Sequence, residues 1–313
     1  MADAGPWRLA HLMQAPHRLA FAAGATMLAV TAHWWALAST ARHAGIALPW
    51  AVAPTAAHGV AMALGFMPLF IAGFAFTAAP RWLGVPEVCA QVLRKPLLLI
   101  LTGWVLALPG FHLSLALAAA GLAAVALGWS AITLRSIRLL RASLAPNKLH
   151  ATWLAATAAV GVLALWAAAG ALALGLETAL RTATSVALWG FLVPLFVTVA
   201  HRMLPFFTAN VLPLHSAWRP DALLWAMLAA GVAQLPFAVA EWWWWPLPAW
   251  VRWWQVGIEL PAALLLRLAS ALWPAAGVAL LQAAVVAWVA AMLGWALRYG
   301  RWLGRPRADG RPG

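Results

Sequence analysis

TAAHGVAMALGFMPLFIAGFAFTAAPRWLG, residues 55–84, is apolar from end to end, and no Asp, Glu, Lys or Arg occurs between Arg42 and Arg81. About 20 such residues cross a bilayer as a helix. His58 lies near one end of the stretch, with Met62 one helical turn beyond it, and Arg81 and Trp82 mark the other end. Ionisable side chains are costly inside a membrane and mark functional positions there. Imidazole is also a common metal ligand, so His58 is a candidate for binding a metal or a haem.

The whole chain has the same character. Its 313 residues are 65% hydrophobic and 9% charged, with mean hydropathy +0.86. A soluble domain carries about 25% charged residues. The reading is an all-α polytopic membrane bundle, because in lipid every backbone group must be bonded internally. The many Ala and Gly residues suit close helix packing. The formal charge of +13 fits loops beside anionic lipid. No aromatic-basic module points to nucleic acid, so membrane lipid is the expected partner. The single Cys89 excludes an intramolecular disulfide and a CxxCH haem attachment, so any haem is held non-covalently. The first apolar segment is span-length, with no clear cleavage motif after it, so no cleavable signal is expected.

Charge-free windows give the spans: 19–41, 43–80, 96–134, 149–176, 182–201, 222–240 and 268–297. Window 96–134 is long enough for two helices, and Pro109-Gly110-Phe111-His112 reads as the turn between them. Eight transmembrane helices result. Residues 242–267 hold seven Trp, with Pro246, Pro248, Pro261, Arg252 and Glu259. That composition suits the headgroup level, so the segment reads as interfacial or re-entrant, with a ninth span as the alternative. With both termini cytoplasmic, only Arg42, Arg181, Arg252 and Arg267 of the 20 Lys+Arg fall outside, as the positive-inside rule requires. Residues 1–300 form the membrane domain, and 301–313 a basic cytoplasmic tail expected to be disordered.

This topology sorts the histidines by depth. His33 lies sixteen residues after His17, about 24 Å along the helix. An outer layer then holds His33, His58 and Met62, and an inner layer holds His17 and His201. His58 and Met62 share one helix face. Imidazole suits haem iron and copper, and a thioether suits Cu(I). Arg202 or Arg81 could pair with haem propionates at the inner side. Against this, a membrane histidine often only bonds a neighbouring helix, and Met62 could simply pack. His43 and His112 sit in expected turns, and His150 and His215 in inner loops; all four read as solvated.

Three stretches carry a family pattern. The first is Ala15-Pro16-His17-Arg18-Leu19-Ala20-Phe21-Ala22-Ala23-Gly24, with Trp34-Trp35 later in the same helix. The second runs from His58-Gly59 through Met62, Gly65-Phe66, Gly73-Phe74 and Thr77 to Ala79-Pro80-Arg81-Trp82-Leu83-Gly84. The third is Val199-Ala200-His201-Arg202-Met203-Leu204-Pro205-Phe206-Phe207, ending at Asn210-Val211-Leu212-Pro213. Together they resemble the NnrS family of bacterial inner-membrane proteins, from the N-terminus to about Arg301. The resemblance implies a haem- and copper-containing membrane protein of nitric oxide metabolism and nitrosative-stress resistance. It also implies His17, His58 and His201 as candidate ligands. NnrS proteins usually continue through several more helices with a further histidine motif, so this chain reads as a short form, either a subfamily of its own or a truncated reading frame. His58-Gly59 stands where many relatives carry His-Glu.

The alternative from a different class is a transporter or channel whose histidines relay protons or pass a metal ion. Pro68 and Pro194 would break its helices at mid-membrane. A structural or assembly partner is a third possibility. Enzymatic nitric oxide reduction is weaker, because it needs more clustered ligands than two per layer.

Overall fold

The computed structural model describes residues 8–211 and 219–243, with scattered positions between 273 and 297. A short 3-10 turn, Leu9–Gln14, leads into α1 (Pro16–His43). The second span is α2 (Pro54–Leu64) followed by α3 (Met67–Leu83). Then come α4 (Gln91–Leu113), α5 (Leu115–Ala142) and α6 (Leu149–Ala173). The sixth span joins α7 (Glu177–Val186) to α8 (Val193–Val211) through a π-helical segment, Ala187–Leu192. Two shorter helices follow, α9 (Asp221–Val232) and α10 (Gln234–Trp243).

Six of these spans are long and apolar enough to cross a membrane, and they are the first six expected from the charge pattern. The expected seventh, 222–240, is the α9–α10 pair, interrupted at Ala233. Most of the eighth expected span, 268–297, and of the Trp-rich segment, and all of the tail and His215, lie outside the described residues.

Local chemistry explains the breaks. In a continuous helix the ring of Pro68 would collide with the carbonyl of Leu64; α2 stops at that residue, and Phe66 leaves helical geometry at φ −133°. The expected turn at Pro109–His112 is not a turn. The helix α4 runs through it to Leu113, and the chain reverses at Ser114, whose extended backbone and hydroxyl cap α5 by accepting from the Leu117 N–H. Membrane helices tolerate an internal proline of this kind. Gly84, at φ +63°, ends α3 directly after Trp82 and Leu83 in the left-handed conformation that glycine adopts freely.

The helices pack through small residues. Along α4 and α5, Gly103, Gly110, Gly121 and Gly128 bring backbone against backbone. On α1, Gly24 receives Phe70, while Gly73 of α3 receives Ala20 and Phe21. Gly161 of α6 receives the ring of Phe191, which is fully buried and meets Trp129 edge-on at 5.6 Å. Large apolar side chains such as Leu37, Val105, Leu134 and Leu163 point outward, which suits a lipid-facing surface. In a bilayer this close packing, rather than exclusion of water, holds helices together.

Candidate functional site

The three sequence motifs meet at one end of the bundle. His17, at the start of α1, lies 3.3 Å from the Thr77 hydroxyl near the end of α3. That hydroxyl donates to the Gly73 carbonyl, so its oxygen accepts from His17 Nδ1–H, and Nε2 becomes the basic nitrogen of a neutral ring. Arg18 is buried beside it and bonds Gln14. On α8, the Arg202 guanidinium sits 4.4 Å above the ring of Trp82, a cation–π arrangement. His201 is 4% exposed. Its Nε2 bonds the Pro220 carbonyl at 3.1 Å, and its Nδ1 meets Nε2 of His150 at 3.0 Å.

The sequence reading missed His150. Expected in a solvated loop, it lies in the first turn of α6 at 4% exposure. Its ring stacks on His201 with centroids 5.3 Å apart and interplanar angle 25°, and meets Trp82 edge-on at 6.3 Å. The α5–α6 connection puts it there. Ser143 donates from its hydroxyl to the Leu83 carbonyl at 2.6 Å, tying the turn to the end of α3. Asn147 Oδ1 then accepts from the Leu149 N–H to start α6. The only sequence signal was the charge-free run that begins one residue earlier, at Leu149.

His17 and His201 do not share a hydrogen bond, since both ring nitrogens of His201 are engaged elsewhere. Arg81, the other expected inner cation, is exposed and paired with Glu87 at 3.1 Å.

The outer layer is built around Trp34 and Trp35. Trp35 stacks on His58 at 3.9 Å, with interplanar angle 20°. His33 is not the neighbour of His58. It lies two residues from Trp35, about 200° around the helix, is exposed, and holds Nδ1 2.7 Å from the carbonyl of Ala29 in its own helix. Met62 is half-buried and packs against the apolar core. His112 corrects another expectation: instead of a solvated turn residue it is a latch. Trp34 Nε1–H donates to its Nε2 at 2.9 Å, its Nδ1–H donates to the Pro49 carbonyl at 2.9 Å, and Trp50 covers the ring at 4.1 Å. His43 is exposed, as expected.

These pieces decide what the site could hold. No group of three or more His, Cys, Asp or Glu is close enough for a protein-only metal cage among the described residues. Haem iron needs fewer protein donors, because the porphyrin supplies four. The inner layer offers buried imidazoles with a guanidinium nearby, a donor set that fits haem. The sequence model of the NnrS protein family matches residues 11–261. The chain belongs to the NnrS family. No curated protein and no solved structure matches it. The family match spans all three motifs, and also His150, which stands outside the motifs yet contacts two of them.

Proposed function

We propose that this NnrS-family chain is a haem- and copper-binding protein of the bacterial inner membrane, acting in nitric oxide metabolism and resistance to nitrosative stress. The observation that carries the metal-binding reading is the buried His150–His201 pair, with Arg202 on the adjoining Trp82. Neutral imidazole is a good ligand for iron and copper. A guanidinium near the end of the bundle suits a propionate. Family membership supports the nitric oxide assignment. Bound there, the metal would supply reversible coordination of a small diatomic molecule. The chain's own part is to hold imidazoles in one tautomer, away from water, and to place a cation beside them.

Detergent-purified full-length protein is expected to show a Soret band and to contain copper by metal analysis. Protein with neither refutes the reading. One observation favours the transporter alternative. The broken backbone at Gly65-Phe66 and the π segment at 187–192 interrupt two spans partway across, as transporter helices are interrupted at substrate sites. Proton or metal-ion flux into proteoliposomes of colourless, metal-free protein would select it.

A further inference from the structure

We propose that Nδ1 of His150 is the donor atom for haem iron in the inner layer, and that His201 is the positioning residue behind it rather than a ligand. This rests on the haem-binding reading above and assigns the residues within it.

The assignment follows from the order of hydrogen bonds. The Pro220 carbonyl can only accept, so Nε2 of His201 carries its proton. A neutral imidazole has one N–H, which makes Nδ1 of His201 an acceptor. Its partner at 3.0 Å, Nε2 of His150, is therefore the donor. One nitrogen remains, Nδ1 of His150, and it carries a lone pair. That atom is buried and has no hydrogen-bond partner among the described residues. A buried acceptor with no donor is rare and calls for an explanation. Metal-binding imidazoles have this support: the second ring N–H is held by an acceptor, which fixes the tautomer and strengthens the donor nitrogen. Here His201 is that acceptor, itself anchored by Pro220.

The surroundings select the ligand. Among the described residues, Arg202, Arg219 and Asp221 are charged groups within electrostatic reach of His150. Two cations against one anion oppose a bare divalent ion. They suit a complex that brings its own negative charge, as haem does through its propionates.

The test uses full-length wild type, H150A, H150M, H201A and H201N, expressed with haem supply and purified in detergent. Monodispersity, haem per chain, copper per chain and Soret position are read for each. H150A is expected to lose haem at least tenfold, with added imidazole restoring the band. H150M fills the same space with a thioether and is expected to shift the Soret band. H201A should bind haem about 10–100-fold more weakly. H201N, whose side-chain carbonyl can accept from His150 Nε2–H, should recover most of that loss. Wild-type haem content and an unmoved Soret band in H150A or H150M overturn the proposal. So does H201A losing haem as fully as H150A without rescue by H201N, or H150A losing copper and keeping haem. Wild type lacking both haem and copper overturns the functional reading itself, whereas loaded wild type with unchanged H150 variants overturns this inference alone.

Discussion

Replacing Gly121 with alanine tests the idea that backbone contact holds α4 to α5. A β-carbon at Gly121 would lie 2.5 Å from the backbone nitrogen of Ala107, 2.7 Å from the Gly103 carbonyl oxygen and 2.8 Å from the Ala107 α-carbon. All three obstacles are main chain, so no rotamer change relieves them. Ordinary carbon contacts sit near 3.5 Å, so the helices must part by about 1 Å. A gap of that size forfeits a quarter to a half of each contact's attraction along the seam. Overpacking of a tight interior costs about 1–3 kcal/mol, and the main-chain obstacle places this substitution toward the upper end. Gly170→Ala is the control, because a β-carbon there meets nothing within 4 Å. It should be neutral, or stabilising by up to about 1 kcal/mol through helix propensity. Both variants are compared by denaturant titration in mixed micelles, followed by tryptophan fluorescence. Equal midpoints for Gly121→Ala and Gly170→Ala would refute the close-packing argument.

Other outcomes follow from single contacts. Phe191→Ala removes a fully buried ring seated on Gly161, so the same titration should show a loss of about 3–5 kcal/mol. Trp34→Phe deletes the donor to His112 while keeping an aromatic ring; a double-mutant cycle with His112→Ala should give a coupling of about 0.5–1.5 kcal/mol. Arg202→Met removes the cation over Trp82, worth about 0.5–2 kcal/mol, and should lower haem content more than Arg202→Lys does. Cys89, exposed between α3 and α4, should react in intact cells only with a membrane-permeant maleimide; labelling by an impermeant reagent would invert the topology.

The spans were legible because charge is nearly absent from them, and a bilayer penalises charge more than it rewards any particular side chain. Counting spans sorted His17, His58 and His201 between two ends of the bundle; His17 and His201 lie toward the end of Thr77 and Trp82, and His58 lies against Trp35. Helix breaks were harder to read. Pro68 ended a helix and Pro109 did not, and sequence alone does not separate these cases, since each depends on whether the surroundings compensate the lost hydrogen bond. Azimuth was harder still. His33 and Trp35 lie at similar depth on one helix, yet only Trp35 turns toward His58. His150 was hidden for another reason: standing second in its charge-free window and read as a loop residue, it is buried by Ser143 and Asn147 setting the course of the α5–α6 turn.

The π segment at Ala187–Leu192 acts as a phase adjuster in the sixth span. A π turn accommodates one residue more than an α turn, so the halves on either side are indexed differently. Upstream, Arg181 reaches Thr55 on α2; downstream, His201 reaches His150 and Arg202 reaches Trp82. Deleting one residue between 187 and 192 would leave the two halves in phase, but closing all six as a plain α-helix would rotate the lower half by about 100°. The outer contact would survive, and both inner contacts would swing away together. One surplus residue thus sets the rotational timing between the two faces of the membrane.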